Sequence, residues 1–186
     1  MSKGFHALLI LVLLASSSMA QSVAAASASE ACGQFVQQFY DWYLAREKAL
    51  MSDESQESAF EATLSEKASS FSPGLVQALK DDLAASKKSS DEIVGLDFDP
   101  FLNAQDAPER YVVGEVRPKG DHYYVDVFGV WEGKKNSKPD VVPELALKDG
   151  KWVFTNFHYG QTDIPVNENL MSILQQLKKD REKPAK

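Results

Sequence analysis

The period of the apolar residues changes at residues 97–106, and this change constrains the fold more than any other feature of the sequence. Before this segment the apolar residues recur every three or four positions, as in helices, and after it they alternate, as in strands. Pro100 lies inside the segment and argues against a helix running through it. The sequence therefore predicts an α+β fold, in which helices and an antiparallel sheet are joined by a structured loop.

The elements on either side of this loop follow from caps, periodicity and turn residues. Helices are predicted after a capping box at Ser27 and Glu30, over residues 57–68, after Ser72 and Pro73, and over residues 167–179. Strands are predicted over residues 111–117, 122–131, 141–148 and 151–159, with Asp149 and Gly150 as a two-residue hairpin turn. Residues 132–140 are expected to form a polar loop. Strict alternation places Trp152, Phe154, Asn156 and His158 on one face of the last strand.

The segment 97–106, called the acidic loop from here on, mixes carboxylates with apolar side chains. Phe98, Phe101 and Leu102 are expected to anchor it to the core. Its polar residues are candidate ligand-binding residues at the rim of a pocket: Asp97, Asp99, Asn103 and Asp106, with Gln105 adding a carboxamide.

Oxygen ligands of this kind suit calcium, but the spacing of these residues does not match an EF-hand loop. Phe101 stands where the third ligand is needed, and Leu102 stands where glycine is needed. An irregular calcium site is one hypothesis, and carboxylates that accept hydrogen bonds from backbone N–H groups are the other. The histidines lack metal-ligand spacing, so we predict neither a metal nor another cofactor.

The first predicted helix carries five aromatic residues between positions 35 and 43. This face is typical of a core stripe. Alternatively, Tyr40 and Tyr43 turn their hydroxyls into a ligand cavity, because a buried tyrosine oxygen needs a hydrogen-bond partner. Cys32 is expected on the core face of the same helix or, as the alternative, in a disulfide between chains, since a single cysteine allows no intrachain disulfide.

Two more candidate ligand-binding residues lie on strands. Asp126 alternates with apolar positions of the second strand, and His158 lies on a neighbouring strand. If the helices cover this face, Asp126 is a carboxylate in apolar surroundings that suits general acid–base chemistry. Otherwise Asp126 is solvated, or it pairs with Arg110 or Arg117.

The N-terminus has the pattern of a secretory signal peptide. Lys3 supplies the positive charge, residues 7–15 are apolar, and residues 18–20 form a small-x-small cleavage site. The apolar run is too short to span a bilayer, so no membrane anchor is expected after cleavage. The predicted organisation is a signal peptide over residues 1–20, with cleavage as late as 28 as an alternative, a disordered segment over 21–32, one domain over 33–180 and a disordered basic tail over 181–186.

Residues 39–44, the acidic loop and the hairpin over residues 145–157 resemble a family of exported bacterial proteins catalogued as domain of unknown function 3828. That family is similar in layout to the NTF2-like, or cystatin-like, cone. The resemblance covers about residues 33–180. It implies N-terminal helices packed on a curved four-stranded antiparallel sheet, a C-terminal helix and a periplasmic location, and it brings no catalytic residues that could be carried over.

The net charge and the motifs of the sequence reduce the number of function classes that fit this chain. The formal net charge of −7 disfavours nucleic-acid partners. No nucleophile motif or glycine-rich phosphate loop occurs in the sequence. We therefore expect a non-enzymatic periplasmic domain, monomeric or homodimeric, that binds a small molecule or an envelope protein. The alternatives are a small hydrolase or isomerase that uses carboxylates in its pocket, and an inhibitor or immunity-type protein.

Overall fold

The computed structural model describes residues 5–52, 57–88, 94–104, 106–159 and 169–183. Within these ranges the chain forms four α-helices and an open five-stranded antiparallel sheet, which confirms the α+β class. The helices are α1 (Phe5–Ser52), α2 (Ala59–Glu66), α3 (Pro73–Ser86) and α4 (Leu170–Arg181). The strands are β1 (Arg110–Lys119), β2 (His122–Trp131), β3 (Lys134–Lys135), β4 (Val142–Lys148) and β5 (Lys151–His158). Among the described helices, none is long and apolar enough to cross a membrane.

The sheet has the order β1-β2-β4-β5, and the short strand β3 pairs with the end of β2. Strand β3 lies in a stretch that we predicted to be loop, so the expected count of four strands was one too few. It forms because Glu132 and Gly133 adopt positive φ angles of 48° and 73°, which turn the chain back onto β2. The predicted hairpin turn is confirmed, since Asp149 and Gly150 have φ angles of 49° and 73° between β4 and β5.

A β-bulge in β5 changes which side chains face the core. Glu144 pairs with Asn156, whereas the next residue, Leu145, pairs with Phe154, so one residue of β5 is left over. Because the bulge reverses the alternation, Phe154 and Phe157 are both buried in the core. The prediction that Asn156 and His158 share a face with Phe154 was therefore wrong.

Helix α1 runs through Ser27 and Glu30, so the predicted capping box does not start a helix. Glu30 instead accepts a hydrogen bond from Gln34, one turn further on (3.3 Å). The helix also includes residues 21–32, which we expected to be disordered. Cys32 is fully buried, which confirms that it faces the core, and burial raises the pKa of its thiol to about 12.

Helices α2 and α3 begin where the sequence places them. Ser58 and Glu61 form a capping box, with hydrogen bonds of 3.1 and 3.2 Å between each side chain and the other residue's backbone N–H. Helix α3 starts at Pro73 after Ser72, although the Ser72 side chain makes no capping bond. Asn169 caps α4 in the same way that Ser58 caps α2.

An ion pair between Arg181 and the buried carboxylate of Asp82 joins helix α4 to α3. Arg181 donates to Asp82 at 2.5 Å and to the Val94 carbonyl at 3.2 Å, and Asp82 also accepts from the Leu96 N–H at 2.9 Å. Arg181 was expected in the disordered tail, but it closes α4 instead. This contact fixes the segment that leads into the acidic loop.

Aromatic side chains fill the space between α1 and the sheet. Ring centroids of Phe39 and Phe154 are 4.8 Å apart, and those of Phe101 and Phe157 are 5.1 Å apart. The core-stripe interpretation of α1 is confirmed, because its aromatic face supplies three buried rings: Phe39, Tyr40 and Tyr43. The expected cavity between the first helix and the sheet is therefore occupied by the core itself.

Candidate functional site

The acidic loop closes on itself as a compact turn. Asp99 and Ala104 form a β-bridge, with Asp99 N–H donating to the Ala104 carbonyl at 3.2 Å. Asn103 adopts a positive φ of 53°, a conformation that asparagine tolerates better than most residues, and donates its side-chain amide to the Asp140 carbonyl at 3.3 Å. Both the conformation and the hydrogen bond of Asn103 therefore help to shape the loop.

The Asp99 carboxylate organises this turn. One oxygen accepts hydrogen bonds from the backbone N–H groups of Phe101 (2.8 Å) and Leu102 (3.1 Å), and the other accepts from the Tyr43 hydroxyl. Burial raises the pKa of Asp99, and these three donors oppose that effect because they favour the charged form. The carboxylate thus supplies the acceptors that the tight turn needs.

Tyrosines from three parts of the chain hold the loop against the core. We call Tyr40, Tyr43, Tyr111 and Tyr159 the tyrosine cradle. Tyr43 donates to the Asp99 carboxylate. The other three hydroxyls donate to loop carbonyls: Tyr159 to Pro100 at 2.9 Å, Tyr40 to Phe101 at 2.9 Å and Tyr111 to Leu102 at 3.3 Å. Burial raises the pKa of all four hydroxyls, so they remain protonated donors.

The predicted anchors of the loop are in place. Phe101 and Leu102 are fully buried, and half-buried Phe98 packs edge-on against the ring of Tyr159 at 5.5 Å. Tyr40 and Tyr43 do need partners for their hydroxyls, as expected, but those partners belong to the loop rather than to a ligand cavity. Sequence reasoning missed Tyr111 and Tyr159, for which the only available signal was that a buried tyrosine requires an acceptor.

A pocket of about 480 Å³ lies against the outer side of the acidic loop. This loop pocket combines apolar walls with carboxylates, and its lining residues are Glu47, Ser58, Phe60, Leu96, Asp97, Phe98, Asp99, Pro100 and Ala104. Of the predicted loop ligands, Asp97 and Asp99 line it. Asp106 is exposed and acts on it only through its charge, and Gln105 lies outside the described residues.

Glu47 is the most unusual polar group of the loop pocket. Its Oε2 atom is buried and has no hydrogen-bond partner among the residues that the structure describes. Burial raises the pKa of Glu47, and the negative charges of Asp99 and Asp106 raise it further. The sequence did not single out Glu47, because it lies in a charged stretch that resembles an exposed helix end.

Asp126 and His158 lie on the other face of the sheet, away from the core. Asp126 accepts two hydrogen bonds of 2.6 Å from Arg117, which confirms the ion-pair alternative for this carboxylate. His158 Nε2 is 2.8 Å from Glu144, and His122 Nδ1 is 2.7 Å from the same carboxylate without the alignment of a hydrogen bond. Neither Asp126 nor His158 meets the loop carboxylates, so the sequence-predicted site residues form two separate groups.

Carboxylates and histidines are also the side chains that bind metal ions. Among the described histidine, cysteine, aspartate and glutamate side chains, no group of three or more is arranged to hold a metal ion. Comparison of the chain with models of protein families, with curated proteins and with solved structures finds no match.

Proposed function

We propose that this protein is an exported, non-enzymatic binding domain that takes a small, partly apolar cation into the loop pocket. The observation that carries the proposal is the Glu47 Oε2 atom, which is buried and without a hydrogen-bond partner in the described part of the chain. An unpaired buried carboxylate oxygen destabilises the protein, and a ligand that donates an N–H to it would recover that free energy.

The walls of the loop pocket support an apolar part of the ligand. Phe60, Leu96 and Phe98 contribute hydrocarbon surface beside the carboxylates of Glu47 and Asp99. The volume of about 480 Å³ lies within the range of small-molecule sites. An ammonium group attached to a ring or a short chain satisfies both kinds of surface, whereas a bare ion would leave the apolar walls uncovered.

Export and location rest on the sequence. The charged, apolar and small-residue regions of positions 3–20 favour a cleaved signal peptide, and the family resemblance favours the periplasm. We infer further that the fold is a variant of the NTF2-like cone, since a long first helix crosses one face of an open antiparallel sheet. N-terminal sequencing of protein recovered from the periplasmic fraction is expected to begin near residue 21; an intact Met1 would contradict export with cleavage.

For Asp126 and His158, the enzyme alternative receives no support from the arrangement of titratable groups. Acid–base catalysis needs at least two such groups converging on one substrate position. The Asp126 carboxylate forms an ion pair with Arg117, and His158 contacts Glu144 on the face of the sheet away from the loop pocket. The proposal therefore assigns no catalytic role to these residues.

Thermal shift and calorimetry with two matched probes test the proposal. Benzylamine is expected to raise the melting temperature, because a ligand that binds only the folded state stabilises that state. The neutral isostere benzyl alcohol is expected to leave the melting temperature unchanged. Glu47→Gln should abolish the benzylamine shift, and the exposed control Glu182→Gln should keep it. Absence of any shift with benzylamine at millimolar concentration would refute the cation proposal and favour the inhibitor or immunity-type alternative. A calcium shift lost in Asp97→Asn would favour a metal instead.

A further inference from the structure

We propose that a second site, at the junction of β5 and α3, binds an amphiphilic organic anion, that is, a carboxylate carried on an apolar body. A groove of about 610 Å³ lies there between the β4–β5 hairpin and α3. We call it the lysine groove after Lys80, Lys148 and Lys151, which line it. Its location and its charge differ from those of the loop pocket, so this inference does not depend on the proposed cation site.

The charge of the lysine groove contrasts with that of the whole chain. The protein has a formal net charge of −7, yet three lysines and a single aspartate, Asp149, line this groove. Within the described residues, none of the three lysines takes part in an ion pair or lies over an aromatic ring. The groove is therefore a local region of net positive charge, because its three lysines outnumber its one aspartate.

The hairpin holds two of these charges side by side. Lys148 and Lys151 are direct cross-strand partners, and like charges at such positions repel each other. The turn formed by Asp149 and Gly150, with its two positive φ angles, fixes the register, so the two lysines cannot slip apart. A bound anion between them would relieve this repulsion.

The third lysine approaches from α3, which is anchored next to β5. Ser72 N–H donates to the Phe154 carbonyl at 2.8 Å, and Phe71 forms a parallel bridge with Phe154. These backbone contacts hold the start of α3 beside the strand and place Lys80 at the same groove. The groove is thus built from two secondary-structure elements whose relative position is fixed by backbone hydrogen bonds.

The floor of the groove identifies the class of anion. Pro73, Val76 and Val153 present hydrocarbon surface, and buried Phe71 lies beneath them. A small inorganic anion could contact the ammonium groups but would leave this surface in water. An organic acid buries its apolar body on the floor while its carboxylate reaches the lysines, and only this ligand satisfies both parts.

Isothermal titration of the full chain with sodium octanoate tests this assignment, with inorganic phosphate as the comparison. Octanoate is expected to bind, and phosphate to bind at least about tenfold more weakly. The double variant Lys148→Gln/Lys151→Gln should weaken octanoate binding by about tenfold or more. Lys148→Arg/Lys151→Arg should retain it, because both positions are exposed and both charges are kept.

Two controls separate this site from general charge and from the loop pocket. Lys119→Gln removes an exposed lysine next to a different turn and should leave octanoate affinity unchanged, as should Glu47→Gln. Equal binding of phosphate and octanoate, an undiminished affinity in the double glutamine variant, or no octanoate binding at millimolar concentration would each overturn the proposal.

Discussion

The acidic loop and the lysine groove are both charged, but the fold uses their charges in opposite ways. Both carboxylate oxygens of Asp99 accept hydrogen bonds from donors inside the protein, namely two backbone N–H groups and the Tyr43 hydroxyl. Lys148 and Lys151 have no charged partner in the described part of the chain and lie directly across from each other. The hydrogen-bond partners of a charged residue, rather than its presence in a motif, therefore distinguish structural charges from charges available to a ligand.

Replacing Asp99 should have the largest effect on stability. Asp99→Ala leaves the buried N–H groups of Phe101 and Leu102 and the Tyr43 hydroxyl without an acceptor. We expect a loss of about 4 kcal/mol in the free energy of unfolding, measured by urea denaturation. Asp97→Ala, an exposed neighbour in the same loop, should change it by less than about 0.5 kcal/mol. Equal effects of the two variants would show that the loop is not held through Asp99.

Removing one cradle hydroxyl should reduce the free energy of unfolding less than removing the Asp99 carboxylate. Tyr159→Phe keeps the ring that packs on Phe98 and deletes the donor to the Pro100 carbonyl. The expected loss is about 1 to 2 kcal/mol, since a single buried hydrogen bond disappears. Tyr123→Phe is the matched control, because Tyr123 packs against Trp152 at the edge of the core away from the loop. A loss of stability as small as that of the control would show that the Tyr159 hydroxyl does not help to hold the acidic loop.

Glu47 should make stability depend on pH in the direction opposite to an ordinary ion pair. Its pKa is raised in the folded state, so the folded chain binds the proton more tightly and is favoured at low pH. This contribution is lost as the pH rises through the raised pKa. Denaturation between about pH 4 and about pH 8 should therefore show Glu47→Gln gaining stability relative to the wild type as the pH rises. A relative loss over that range would show that Glu47 has a cationic partner.

The lysines of the groove should give the smallest effect. Lys148→Gln removes one of two repelling charges and no internal contact, so the free energy of unfolding should stay within about 0.5 kcal/mol or rise slightly. Chemical denaturation at low ionic strength measures this change most sensitively, because salt screens the repulsion. A loss of more than about 1 kcal/mol would mean that Lys148 has a structural partner, and the contrast with Asp99 would fail.

Features with a local cause were predictable from the sequence. The start of α3 at Pro73, the turn at Asp149 and Gly150, and burial of Phe101 and Leu102 each depend on neighbouring residues or on simple hydrophobicity. The α+β order followed from the change of period at the acidic loop. These elements are in the structure where the pattern indicated them.

Features that depend on distant partners were not predictable. The bulge of β5 allows both Phe154 and Phe157 to reach the core, and no alternation rule predicts it. Tyr159 and Pro100 are 59 positions apart, so the residues next to them in the sequence do not indicate their hydrogen bond. Glu47 has the local sequence of a solvated charge, yet it lines a pocket together with residues of α2 and of the acidic loop, and its Oε2 atom is buried.

Residue-resolved amide hydrogen exchange at Phe101 and Leu102 tests the central claim most directly, because both N–H groups donate to Asp99 inside the tyrosine cradle. We expect both amides to exchange at least about a thousandfold more slowly than in an unstructured chain. Asp99→Asn should remove that protection and leave the β2 amides unaffected. Exchange of these two amides at nearly the rate of an open surface loop in the wild type would contradict that claim.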